Sequence, residues 1–270
     1  MNTEATIENK SDLVRLSKLM TERGLCSRRE ADDLISRGQV YVNGIKIAIL
    51  GHKVTRDVRI SFEAEALAAQ KKIITVILNK PVGYVSNLPE RSYKQALDLI
   101  TPDRFHGDID TDLPKDFWRS IESATKNLSV VGRLDIESQG LLFLTHDGRL
   151  VKSIIGEEIE CEKEYLVRVQ PTDGFSPLDE EGLALLRHGL IVEGLPLKPA
   201  KVEWINADQL QFILVEGKKR QIRKMCEMVG LTVLGLKRVR IGPLSLGGLP
   251  EGRWRLMTDA EKKLFLKPEH

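Results

Sequence analysis

Between residues 63 and 72 the chain loses its aromatic residues and nearly all of its β-branched ones. The run Glu-Ala-Glu-Ala-Leu-Ala-Ala-Gln-Lys at 63–71 reads as a helical or flexible linker. That stretch constrains the fold more than any other, because it separates a segment that opens on helical spacing from one that opens on a strand. A chain of 270 residues is comfortable as two domains. In the first, residues 13–62, Leu13, Leu16, Leu19 and Met20 recur at helical spacing and Gly24 ends the helix. Ser27-Arg28-Arg29-Glu30 fits a capping box for a second helix, which buries Ala31, Leu34 and Ile35 and stops at Gly38. A strand at 40–42, the turn signal Asn43-Gly44 and a strand at 58–60 complete a small helix-plus-sheet unit.

The second domain, residues 73–260, opens with a buried strand at 73–78. Further strands are expected at 129–131, 140–145, 165–169, 202–204 and 211–215, and a helix at 220–229 ends at Gly230. Many strands with few helices predict an α+β domain on a mixed, mainly antiparallel sheet. Residues 98–122 carry seven acids against Arg104, Lys115 and Arg119. With two prolines and no period, this part reads as an acidic surface insertion, about 98–128, placed away from any bound phosphate. Residues 1–12 and 261–270 are expected to be tails.

Lys plus Arg number 41 against 39 Asp plus Glu, so the distribution of charge has to be read in place of its sum. From Glu216 to Arg255 there are ten cations and three acids, and five of the cations fall within 218–224. Such a local excess is the footprint expected for a phosphate backbone, although a charge run is more commonly a solvated helix face. Cys26, Cys161 and Cys226 are far apart, and the five histidines stand at no metal-ligand spacing from them. Free thiols in a reducing compartment fit best. Neither a secretory leader nor a membrane span is legible, and a cytoplasmic location follows.

Three constellations can carry chemistry. In Val131-Gly132-Arg133-Leu134-Asp135-Ile136-Glu137-Ser138-Gln139-Gly140, two apolar runs flank a loop with Arg133 and Asp135 at its tip. A positioned carboxylate there can be a nucleophile or base, or simply a turn residue. The basic cluster places Arg220 and Arg223 one turn apart, with Ile222 and Met225 toward the core. Lys163-Glu164-Tyr165 opens a strand, where a tyrosine can be a stacking platform or an ordinary core residue.

Taken together, these motifs resemble a known family. Gly132-Arg133-Leu134-Asp135-x-x-Ser138-x-Gly140-Leu141-Leu142-x-Leu144-Thr145-x-Asp147-Gly148 is similar to the catalytic motif of the pseudouridine synthases that modify ribosomal RNA. Asn79-Lys80-Pro81-x-Gly83, Lys163-x-Tyr165 and Arg220-Gln221-Ile222-Arg223 resemble that family's other motifs. Residues 15–44, with Ser27-Arg28-Arg29-Glu30-Ala31 and Val42-Asn43-Gly44, resemble an S4 RNA-binding domain. The order, S4 then catalytic domain, is that of the RsuA/RluB/RluE/RluF family, and the residues look most like its large-subunit (23S) RluF type. His146 and the acidic insertion depart from the family pattern.

The resemblance implies isomerisation of uridine to pseudouridine in ribosomal RNA, with a tRNA as a second substrate. It makes Asp135 the nucleophile and Tyr165 the aromatic that stacks on the flipped uracil. Arg223 becomes the basic partner of Asp135, Leu236 the apolar residue on the other side of the base, and Arg133 a holder of the flipped nucleotide. Lys218, Lys219, Arg220, Lys237 and Arg238 are expected to contact substrate, and Lys18, Arg28 and Arg29 to contact RNA from the S4 domain. Since the reaction is neither redox nor hydrolytic, no cofactor and no metal are expected. The expected partner is RNA, with no membrane, no protein partner and a monomeric chain. Two rivals stand beside this reading: a non-catalytic S4-type ribosome-assembly factor, and a glycosidase, which would need a second catalytic carboxylate.

Overall fold

A computed structural model of the protein describes residues 13–26, 28–63, 74–86, 93–107, 128–156, 160–173 and 178–266. Two compact units form, one from residues 13–63 with 146–149 and the other from 74–145 and 150–266. Among the described residues no helix is long and apolar enough to cross a membrane.

In the first unit the order is β1 (Val14–Arg15), α1 (Leu16–Glu22), α2 (Arg28–Ser36), β2 (Val40–Val42), β3 (Ile45–Ile47), β4 (Lys53–Val54) and β5 (Ile60–Phe62). Leu16, Leu19 and Met20 on α1 pack against Ala31 and Ile35 on α2. Leu13 is exposed, and the helix starts later than its spacing suggested, because Val14–Arg15 pair with Lys53–Val54. Asn43 and Gly44 both take positive φ, which lets β2 turn directly into β3. The last strand is Ile60–Phe62 instead of 58–60. Asn43 accepts the Arg59 N–H on its side chain and donates its own N–H to the Arg59 carbonyl, so regular pairing begins one residue on. The capping box at Ser27 and most of the linker lie outside the described residues.

The second unit contains β6 (Thr75–Lys80), β7 (Tyr84–Val85), β8 (Lys94–Gln95), β9 (Ser129–Val131), β10 (Gln139–Thr145), α3 (Gly148–Ile155), β11 (Lys163–Pro171), α4 (Glu180–Arg187), β12 (Ile191–Val192), β13 (Leu195–Pro196), β14 (Lys201–Asn206), β15 (Gln209–Leu214), α5 (Gln221–Met228), β16 (Leu231–Ile241), β17 (Leu244–Ser245), β18 (Trp254–Leu256) and α6 (Asp259–Lys263). Its main sheet runs β14-β15-β11-β16-β10-β6-β18, with β9 added on β10 and β17 on β16. Every pairing in it is antiparallel except β10 with β16.

Period-two alternation divides the core between the two faces of this sheet. Val76 and Leu78 of β6 join Leu142, Leu144 and Trp254 in one layer. Ile77 joins Leu141, Phe143 and Ile154 in the other. A third cluster, under α4 and α5, holds Tyr165, Leu236 and Leu134. Sequence reading passed over β16, because its centre, Lys237-Arg238-Val239-Arg240, looked like part of the basic cluster. The first part of the acidic region also packs into the core: Leu99 and Ile100 are buried, and the Trp254 indole donates to the Thr101 carbonyl at 2.8 Å. Residues 108–127, with most of the acids, lie outside the described residues.

Trp254 is fully buried and meets Phe105 edge to face at 4.9 Å. Trp254→Ala removes that packing and strands the Thr101 carbonyl. The expected loss is about 3–5 kcal/mol, read as a lower denaturant midpoint for the second unit. A midpoint shift worth less than about 1 kcal/mol would show that the site collapses around the smaller side chain.

Candidate active site

Gly132 leaves β9 with φ +70, and seven residues later the chain re-enters the sheet at β10. Three sets of hydrogen bonds hold the loop between them. The Leu134 N–H donates to the Ser86 hydroxyl at 2.9 Å, and that hydroxyl donates back to the Leu134 carbonyl at 2.6 Å. The Ile136 carbonyl accepts from the Gly83 N–H at 2.8 Å, and the Asp135 carbonyl accepts from the Ser138 N–H at 3.0 Å. Buried Arg238 donates to the carbonyls of Leu141 (2.8 Å), Gly132 (3.1 Å) and Arg133 (3.3 Å). At Gly140, φ +108, a Cβ would stand 2.2 Å from the Arg238 carbonyl oxygen. Only glycine lets β10 and β16 approach this closely.

Asp135 is thereby presented, half-buried, in a cleft of about 650 Å³. Tyr165 from β11 and Leu236 from β16 line the same cleft, and both are more than nine-tenths buried. Its rim is basic: Arg133, Lys218, Lys219, Arg220 and Arg223 all contribute. Arg220 occupies the N-cap of α5 with φ +53, a left-handed conformation uncommon for a residue with a side chain. Gln221 shapes this turn, accepting from the Lys218 N–H at 2.9 Å and donating to Glu216 at 2.8 Å.

The structure redistributes several expected roles. Arg223, expected beside Asp135, donates to the carbonyls of Glu137 (3.2 Å) and Val233 (3.3 Å). Its Nε lies 3.5 Å from a Glu137 carboxylate oxygen, without hydrogen-bond geometry. Arg220 pairs with the same carboxylate at 3.0 Å. Glu137, two residues past Asp135 on the loop, thus gathers both arginines. Arg238 is 1 % exposed and spends its guanidinium on loop carbonyls, so it is a strut here, not a surface contact. Lys237 points to the opposite face of β16 from Leu236 and Arg238 and does not line the cleft. Lys218 donates to the Pro196 carbonyl, while Lys219 is exposed. In the first unit Lys18 lies 3.8 Å from Glu22 and Arg28 is exposed; the Arg29 side chain is outside the described residues.

Sequence reading also left Lys80 and Lys163 without roles, although both stand in motifs it singled out. Lys80 is fully buried and donates to the Pro81 and Tyr84 carbonyls, both at 2.8 Å. Burial pulls its pKa down to about 8, and the Asp135 charge works against that shift.

Residues 74–228 match the RNA pseudouridylate synthase family, and residues 14–60 match the S4 domain family. The chain is 35% identical over 250 residues to the dual-specificity RNA pseudouridine synthase RluF of Escherichia coli (strain K12), covering 92% of this chain and 77% of that one. It is 30% identical over 255 residues to ribosomal large subunit pseudouridine synthase B of Bacillus subtilis (strain 168), covering 92% and 94%. A crystal structure of a pseudouridylate synthase superposes with a TM-score of 0.59 at 27% identity, covering 93% of this chain and 99% of that one. The chain therefore belongs to the RNA pseudouridylate synthase family. It is an RNA-modifying enzyme with an S4 domain ahead of its catalytic domain.

Lys80 generates a pH prediction. Between about pH 8 and its ordinary 10.5 the unfolded chain still holds a proton that the folded chain has released. Folded stability should therefore rise with pH across that window, by up to roughly 3 kcal/mol. Lys80→Met should abolish that rise. The check is the difference in urea midpoint between wild type and variant at pH 7.5, 9 and 10. A difference that stays constant would refute the burial argument.

Proposed function

We propose that this enzyme converts a uridine of ribosomal RNA, in the large-subunit 23S molecule, to pseudouridine, with a tRNA as a second substrate. It acts as a monomer in the cytoplasm. The observation that carries this reading is the convergence of Asp135, Tyr165 and Leu236 on one cleft with a cationic rim. A cleft of this size admits a nucleotide but not a stacked helix, so the target must swing out of its stack to enter. Tyr165 and Leu236 would then replace the lost stacking. Asp135 would promote cleavage of the N1–C1′ bond, either by adding to the sugar or base or by taking the 2′ proton to leave a glycal. The uracil turns and C5 bonds to C1′. Arg223 would exchange Glu137 for Asp135 once RNA is bound. Lys18, Arg28 and Arg29 would position RNA through its phosphates. The relatives support the choice of RNA: one is named for the large ribosomal subunit, another for dual specificity.

Asp135→Ala tests the assignment. The variant should fold, since a loop carboxylate with no ion pair among the described residues loses little packing. It should bind an rRNA fragment as well as wild type, because the basic rim supplies that energy. Pseudouridine should fall below detection in single-turnover reactions at saturating enzyme, a condition that separates lost chemistry from lost affinity. Substantial conversion by the variant would sink the mechanism. Binding without conversion by wild type would favour a non-catalytic RNA-binding protein.

Lys218 and Lys219 test the rim. If they displace counterions from phosphates, replacing both with Ala should reduce the slope of log K against log salt by roughly 0.7 to 1.4, one or two single-strand contacts. An unchanged slope in a salt titration would place both in solvent.

A further inference from the structure

The inner wall of the cleft contains two cations, Lys163 and Arg238, each more than nine-tenths buried. Neither lies within 4.0 Å of a carboxylate among the described residues. Arg238 is committed to loop carbonyls. Lys163 spends a single N–H on the Cys161 carbonyl, at 3.0 Å, and has two donors left. Burial lowers its pKa; the neighbouring Cys161 thiol works against that shift and the Arg238 charge adds to it, and a buried cation gains from any anion that enters.

Alternation along β11 places Lys163 on the same buried face as Tyr165, two residues and about 7 Å along the strand. Opposite them the register jumps: Glu164 pairs with Arg240 and Tyr165 with Arg238, which leaves Val239 as a bulge. Bulges re-aim side chains beside active sites. A base stacked on the Tyr165 ring would thus have an ammonium group within reach of its edge.

We propose that Lys163 is a catalytic residue that stabilises the uracil anion released when the N1–C1′ bond breaks. The inference rests on the pseudouridine reading above. When that bond breaks, both its electrons leave with uracil and spread over N1, O2 and O4. C1′ is left bonded to the Asp135 carboxylate or becomes part of a glycal. An ammonium group hydrogen-bonded to O2 or O4 favours this state over neutral bound uridine, so it acts on the rate and not on binding. Once the base has turned, a ring pair forms C5–C1′ as the Asp135–C1′ bond breaks and its electrons return to the carboxylate, or, on the glycal route, as C2′ takes back the proton held by Asp135; the C5 proton then leaves and N1 takes up a proton, which restores the atom count of an isomerisation.

The test compares wild type, Lys163→Met, Lys163→Gln and Lys163→Arg in single-turnover reactions on an rRNA fragment, with RNA binding measured in parallel. The Gln variant retains a donor for the Cys161 carbonyl without the charge, which guards against a Met variant that fails to fold. Both neutral variants should lose about a hundredfold in rate with little change in affinity, while Arg keeps most of the rate. A second substrate carries 5-fluorouridine at the target, and consumption of that nucleoside is followed. Fluorine at C5 itself stabilises the uracil anion, so on this substrate the Gln loss should shrink to under about tenfold. Unchanged rates in the Gln variant, an equal loss of rate and affinity, or the same loss on both substrates would each overturn the role. Failure of wild type to make pseudouridine would instead overturn the reading on which the role rests.

Discussion

The Arg238 guanidinium donates to the carbonyls of Gly132, Arg133 and Leu141, and so ties β16 to both ends of the loop that presents Asp135. It lies beside the only parallel pairing of the main sheet among the described residues, where Gly140 meets Arg238 itself. A buried cation without a carboxylate is expensive unless its donors are filled. Three carbonyls aimed at one guanidinium meet that condition, and each bond to a charged group contributes roughly 1.5–3 kcal/mol. The arrangement locks the loop at its two ends while Ser86 fixes Leu134 in the middle. Asp135 inherits a defined position without a side-chain ion pair among the described residues.

The same economy organises charge around the cleft. Arg238, Lys163 and Lys80 are all buried and all spend donors on backbone carbonyls. An exception is Glu137, a half-exposed carboxylate that gathers Arg220 and Arg223. On the proposed reading, an RNA phosphate would compete with the Glu137 carboxylate for the Arg220 guanidinium. The Arg220–Glu137 pair is partly exposed, and ion pairs of this kind contribute little, so giving it up would cost little.

Much was legible in the residues themselves. The helical spacing at Leu16, Leu19 and Met20 and the Asn43-Gly44 turn are local signals, and local signals survive folding. The strands at 129–131 and 140–145 and the loop between them were visible because buried strands are written as apolar runs. The motif resemblance supplied candidate roles for Asp135, Tyr165 and Leu236, and the fold brings all three to one cleft. What escaped were side chains whose role depends on a distant partner. Arg238 and Lys237 are neighbours in one basic run, yet alternation sends one into the core and the other to the opposite face.

The sequence alone determined that two domains follow one another, that the second is built on strands, and that Gly132 to Gly140 forms a rigid, charged turn between two of them. Those features depend on side-chain period and on backbone preferences of residues close in the chain. Only the tertiary structure decided which carboxylate Arg220 and Arg223 hold, which lysines are buried, and that Lys163 shares a face with Tyr165. Each of these depends on contacts between segments tens of residues apart, the loop at 132–140 with the α5 turn and β11 with β16. A cation's chemistry is set by whether water or protein surrounds it, and one-dimensional spacing does not contain that information.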